Sequence, residues 1–136
     1  MLAIVGKTYT VPRELLEKVA KAAFSFLELS EAEIEIKFVS RSEITRLNEV
    51  YRQKMGPTDV LSFELEKKPL LGQVFICYNF TKEQAKRLGK TLNDEVALLL
   101  VHGILHIAGY DHMNPSEEAE MQKTETKILE RVGINR

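Results

Sequence analysis

The sequence predicts an α/β (α+β) domain in which a small mixed β-sheet packs against helices and one central helix is buried. Three observations predict it. Segments with a two-residue apolar period alternate along the chain with segments of helical period. The run from Val96 to Ala108 is densely apolar, which suits a helix enclosed by other elements. The 136 residues, 44% of them hydrophobic, supply one core but not two, so residues 1–136 are expected to form a single domain.

The elements follow in order. Residues 13–28 place Leu15, Leu16, Val19, Ala22, Ala23, Phe24 and Leu27 at three-to-four spacing behind Pro12, whose fixed φ suits a first turn. That pattern is an amphipathic helix. Ile34, Ile36 and Phe38 then alternate with Glu33, Glu35 and Lys37, as in a strand with one solvated face. Ser40 and Glu43 have capping-box spacing, and Ile44, Leu47, Val50 and Tyr51 line one face of a helix running to about Arg52. Gly56-Pro57 breaks the helical register.

Two strand-like runs come next, Val60 to Leu65 and Val74 to Tyr78, separated by a charged stretch with Pro69 and Gly72 and placed to pair as neighbours. Thr81 to Leu88 reads as a short basic helix ending at Gly89, and Thr91 with Asp94 can cap the buried helix, Asp94 to Ala108. Ser116 opens a last helix with Glu117, Glu118 and Glu120 near its start and Met121, Ile128, Leu129 and Val132 towards its end.

Charge and targeting exclude several classes. A formal charge of −1 and a pI near 6.3 give no global positive field, so a polyanion would have to bind a local patch. Five apolar residues before Gly6 are too few for a signal-peptide core, and no later segment approaches a membrane span, so a cytoplasmic protein is expected. The single cysteine, Cys77, excludes an internal disulfide, fits a reducing compartment and reads as a small buried hydrophobe.

All three histidines fall between Val101 and His112. His102 and His106 are four apart on a helix, so their Cβ atoms lie about 5–6 Å apart on one face, within reach of one ion. Gly109 stands where the helix must end and the chain double back, which lets His112 supply a third ligand. Three neutral imidazoles suit one Zn²⁺ per chain and leave a fourth position for a water whose pKa falls to about 7. Imidazole also suits nickel, copper and iron; zinc is the default.

The spacing His-x₃-His-x₅-His is shared with metzincin proteases, which place a glutamate general base directly after the first histidine. Here that residue is Gly103, which cannot take a proton, and losing a general base costs about 10²–10⁴-fold. A conventional zinc peptidase is thereby disfavoured, and Gly103→Glu would probe for protease-like geometry. Asp111 is either a substitute base or an acid that orients a ligand histidine.

The segment His102-Gly103-Ile104-Leu105-His106-Ile107-Ala108-Gly109-Tyr110-Asp111-His112 resembles the signature of the YbeY family of zinc-dependent bacterial endoribonucleases. A second block, Leu47-Asn48-Glu49-Val50-Tyr51-Arg52 followed by Thr58-Asp59-Val60-Leu61-Ser62-Phe63, is similar to that family's other hallmark. With Leu71-Gly72 and the closing helix, the resemblance covers most of the chain. It implies a single α/β domain, zinc on His102, His106 and His112, and a role in maturing ribosomal RNA and in ribosome quality control. It also points to Arg52 as an active-site arginine, a residue type that grips phosphate and stabilises developing charge. The chain departs from the family pattern at Gln73, commonly aspartate, and at Glu64, commonly proline. The first departure tells against an accessory acid at 73, not against the zinc.

An RNA partner would meet two basic groups: Arg41, Arg46, Arg52 and Lys54, and then Lys82, Lys86, Arg87 and Lys90, with Lys82, Lys86 and Lys90 forming a stripe if the helix persists past Gly89. Modest net charge predicts weak intrinsic affinity and a ribosome or ribosomal protein that delivers single-stranded substrate. The competing readings are a ribosome-assembly binding factor with a mainly structural metal and an atypical zinc peptidase.

Overall fold

The computed structural model describes all 136 residues. Element order is β1 (Leu2–Val5), α1 (Arg13–Phe26), β2 (Glu33–Val39), α2 (Arg41–Arg52), β3 (Val60–Lys67), β4 (Leu70–Cys77), α3 (Tyr78–Arg87), α4 (Leu92–Ile107) and α5 (Pro115–Glu130). The sheet runs β1-β2-β4-β3. Its first three strands are parallel, and β3 closes the edge antiparallel to β4. The expected mixed α/β architecture is present, and no helix is long and apolar enough to cross a membrane.

Side-chain alternation on β4 divides the apolar residues between two clusters. Val74 and Ile76 join the large core with α1, α4 and α5, whereas Phe75 and Cys77 pack with Ile44 of α2. Helix α4 supplies Val96, Leu100, Val101, Ile104 and Leu105 to the large core, all fully buried. Cys77 is buried and free, as its apolar context predicts.

Helix α4 reaches the sheet at two glycines. A Cβ on Gly103 would stand 2.9 Å from Val74 Cγ1, and one on Gly72 would stand 2.7 Å from Ile107 Cδ1 and 2.9 Å from the Phe63 carbonyl oxygen. This approach sets α4 directly against β4 and the edge strand β3. Gly72→Ala is expected to cost about 1–3 kcal/mol by overpacking, read as a lower denaturation midpoint. An unchanged midpoint would show that the helix can lift off the sheet without penalty.

Several elements differ from expectation. Strand β1 was not anticipated: four residues at the N-terminus pair in parallel with β2, and no local turn announces that pairing. The two runs pair as expected, but the stretch between them is shorter: only the Lys68-Pro69 turn separates β3 from β4, and Gly72 lies inside β4. Tyr78 begins α3 rather than ending a strand. Helix α5 starts at Pro115, capped by the Asn114 side chain, which accepts from the Glu117 N–H. The Ser40–Glu43 capping box forms as expected. Val50 and Tyr51 of the same helix are 60% and 64% exposed; the inward positions are Ile44 and Asn48, and Asn48 is needed there to donate to the Gly56 carbonyl at 3.0 Å.

Candidate metal centre

The last turns of α4 present His102 and His106 on one face, and the chain reverses at Gly109, where φ is +107°. The reversal returns His112 to the same place. Ring centroids stand 4.8 Å apart for His102 and His106, 5.0 Å for His106 and His112, and 5.8 Å for His102 and His112. Each ring offers one ligand nitrogen, and these nitrogens lie within 4.8 Å of one another, so the three histidines can hold a metal ion. Burial first, then the adjacent His102 and His112, holds His106 below its ordinary pKa of 6.5; Asp111 opposes and Arg52 reinforces this. His106 is therefore neutral at pH 7, the form that ligates.

Behind His102 stands an acid that sequence reasoning missed. Glu125, on α5 and 1% exposed at its side chain, accepts from His102 Nδ1 at 2.6 Å with one oxygen and from Arg136 Nε at 2.8 Å with the other. Burial opposes its ionisation most strongly, yet the hydrogen bonds and charges of His102 and Arg136 outweigh burial and hold the carboxyl below its ordinary 4.5. A carboxylate only accepts, so in the neutral ring that a metal needs, the His102 proton belongs on Nδ1 and the Nε2 lone pair is left for the ion. The donor set thus fits a metal: three imidazoles, one with its tautomer assigned by a buried acid. Glu125→Gln is expected to weaken metal affinity about 10–100-fold, measured by competition with a chromophoric chelator. Unaltered affinity would make Glu125 a folding residue alone. A signal was present in the sequence, since Glu125 lies on the apolar face defined by Met121, Ile128 and Leu129. Nothing local marks Arg136.

A cleft of about 480 Å³ opens beside the histidines, lined also by Arg52, Lys54, Asp59 and Ser62. Arg52, at the end of α2, donates to the Ser62 carbonyl of edge strand β3, and its guanidinium lies 4.8 Å from the Phe63 ring centroid. That places a fixed cation on the wall facing His106. Both oxygens of Asp59 are engaged: one accepts from the Val60 N–H and the Thr58 hydroxyl, the other from Gln84 Nε2 at 3.0 Å. Its carboxylate shapes the floor of the cleft.

Three expectations about accessory residues are corrected. Asp111 lines the cleft and its carboxylate accepts from the His112 backbone N–H at 2.7 Å; of its two expected roles, orienting a ligand histidine ring falls instead to Glu125. Gly103 faces Val74 on the sheet, so a glutamate there would overpack the core instead of probing the site. The basic stripe is interrupted: α3 stops before Gly89, and Lys90 turns inward to Glu95 at 2.8 Å. Arg41 is bound to Glu83 at 2.6 Å, which leaves Lys82, Lys86, Arg87 and Arg46 exposed and Lys54 at the cleft. Gln73 donates to Glu35 at 3.1 Å.

Comparison with known proteins gives the family of the chain. The family model described as Endoribonuclease YbeY matches residues 6–133. The chain belongs to that family. A relative from Bacillus pumilus (strain SAFR-032), named Endoribonuclease YbeY, is 36% identical over 154 aligned positions that span 100% of this chain and 97% of the relative. One of the same name from Sulfurovum sp. (strain NBC37-1) is 39% identical over 93% of this chain and 86% of its own. The solution structure of a Thermotoga maritima protein superposes with a TM-score of 0.68 at 27% identity, covering 97% of this chain and 91% of that one. The resemblance read from the two sequence blocks is thus family membership along the whole fold.

Proposed function

We propose that this chain is a zinc-dependent, single-strand-specific endoribonuclease that matures ribosomal RNA, at the 3′ end of the small-subunit RNA, and serves ribosome quality control in the cytoplasm. Family membership supports endoribonuclease activity in ribosomal RNA processing. The observation that carries the zinc reading is the convergence of His102, His106 and His112 beside a cleft walled by Arg52. One zinc per chain is assigned to the three histidines, and Arg52 joins them as a catalytic residue.

When bound there, zinc supplies a Lewis acid and lowers the pKa of water at its open position. The chain's own residues do the rest. Arg52 is held by the Ser62 carbonyl and the Phe63 ring, so its remaining N–H donors can grip a non-bridging phosphate oxygen without reorganising as charge builds. Lys54 adds a second positive charge at the rim. Glu125 keeps the His102 proton on Nδ1 and therefore out of the cleft. Attack by water and attack by the neighbouring ribose 2′-hydroxyl differ in product: only the second leaves a 2′,3′-cyclic phosphate.

A single-stranded fragment of small-subunit ribosomal RNA is the test substrate. Cleavage is expected to disappear with chelator and return with added zinc. Equal cleavage by chelated and zinc-loaded protein would remove the metal from the mechanism.

A further inference from the structure

We propose that Tyr51 is a stacking platform for an unpaired nucleobase of the strand whose phosphate is gripped by Arg52. The inference rests on the RNA-cleaving reading above and adds a base-binding subsite to it. Tyr51 is 64% exposed at the end of α2, although the helix has a buried face on which a tyrosine could lie. Its ring is nevertheless anchored. It meets Phe63 edge to face, with centroids 5.7 Å apart and planes at 72°, and Phe63 is braced in turn by Phe75 at 5.8 Å.

The Arg52 guanidinium lies 4.8 Å from the same Phe63 centroid, so the tyrosine ring and the arginine fork converge on one aromatic support at the edge of the metal cleft. A nucleotide presents the matching pair, a planar π-system and a phosphate one sugar apart. Isolated exposed apolar residues are ordinary. Here the exposed ring is held against Phe63, the support that it shares with Arg52, a cation that suits phosphate. Paired bases are stacked within a duplex and cannot reach such a ring, whereas a splayed base in a single strand can. Tyr51 thereby supplies selectivity for single strands with no base-edge hydrogen bond.

The test compares zinc-loaded wild type, Tyr51→Phe and Tyr51→Leu on one single-stranded RNA. Losing one stacked base is worth about 5- to 150-fold, so Tyr51→Leu is expected to raise KM within that range with zinc content unchanged, while Tyr51→Phe keeps the wild-type KM. Because the chain has no tryptophan, Tyr51→Trp introduces one fluorophore at the platform. Stopped-flow mixing with the single strand should quench its emission before turnover, and the duplex of the same sequence should not. Wild-type KM in Tyr51→Leu, or equal quenching by duplex, overturns the platform while leaving the nuclease intact. Emission that responds to a ribosomal protein but not to RNA overturns it in favour of a protein-docking role. Failure of wild type to cut RNA counts against the nuclease reading instead, and the emission assay then decides the platform alone.

Discussion

His106→Ala is expected to abolish zinc binding and RNA cleavage together. His106 stands between the other two rings, at 4.8 and 5.0 Å, is held neutral by its surroundings, and belongs to rigid α4 rather than to the loop that carries His112. Removing it leaves two imidazoles, too few for a catalytic zinc site. Loss of a group that merely orients a ligand costs about 10–100-fold in affinity, and loss of a ligand is expected to exceed that. The fold should survive, because His106 is only half-buried and alanine is the stronger helix former. Metal content, RNA cleavage and a thermal melt on the same preparation check the three statements. Wild-type cleavage by the variant would place the chemistry outside this centre.

Arg52→Ala should separate chemistry from metal binding. Its guanidinium bonds the Ser62 carbonyl and lies over the Phe63 ring, and it makes no hydrogen bond to any of the three histidines. Zinc content is therefore expected to stay at the wild-type level while kcat falls about 10²–10³-fold, the usual cost of removing one preorganised donor to developing charge. Arg52→Lys should recover only part of the rate, since an ammonium has neither the planar fork nor the flat face that rests on Phe63. Measured kcat with unchanged zinc stoichiometry supports the assignment. Loss of zinc in Arg52→Ala would make Arg52 a structural prop of the centre, and wild-type kcat would remove it from the reaction.

Both variants rest on residues that were visible in the chain before any folding was known. The other half of the centre was not. Glu125 and Arg136 lie 23 and 34 residues beyond His102, and Glu125 meets the ring, with Arg136 on its other oxygen, only because α5 packs on α4. Asp111, beside His112 in sequence, looked the better candidate for orienting a ligand ring, yet it bonds to the nearest backbone N–H, as short acidic side chains do in turns. Lys90 continued a four-residue spacing, but Gly89 with φ +67° breaks the helix and a buried Glu95 needs a cation.

By itself the sequence determined the helices α1, α2 and α4, the strand β2, the glycine that reverses the chain and the pairing of His102 with His106. All of these follow from periodicity, caps and backbone conformation within a few residues. Only the tertiary structure decided that β1 pairs with β2, that Arg52 reaches across the edge strand to Ser62, that Gly72 and Gly103 let α4 close on the sheet, and that Glu125 stands behind His102. Those contacts join residues far apart in the chain. Their free energy comes from burial, steric fit and the satisfaction of buried charge, which no local pattern encodes.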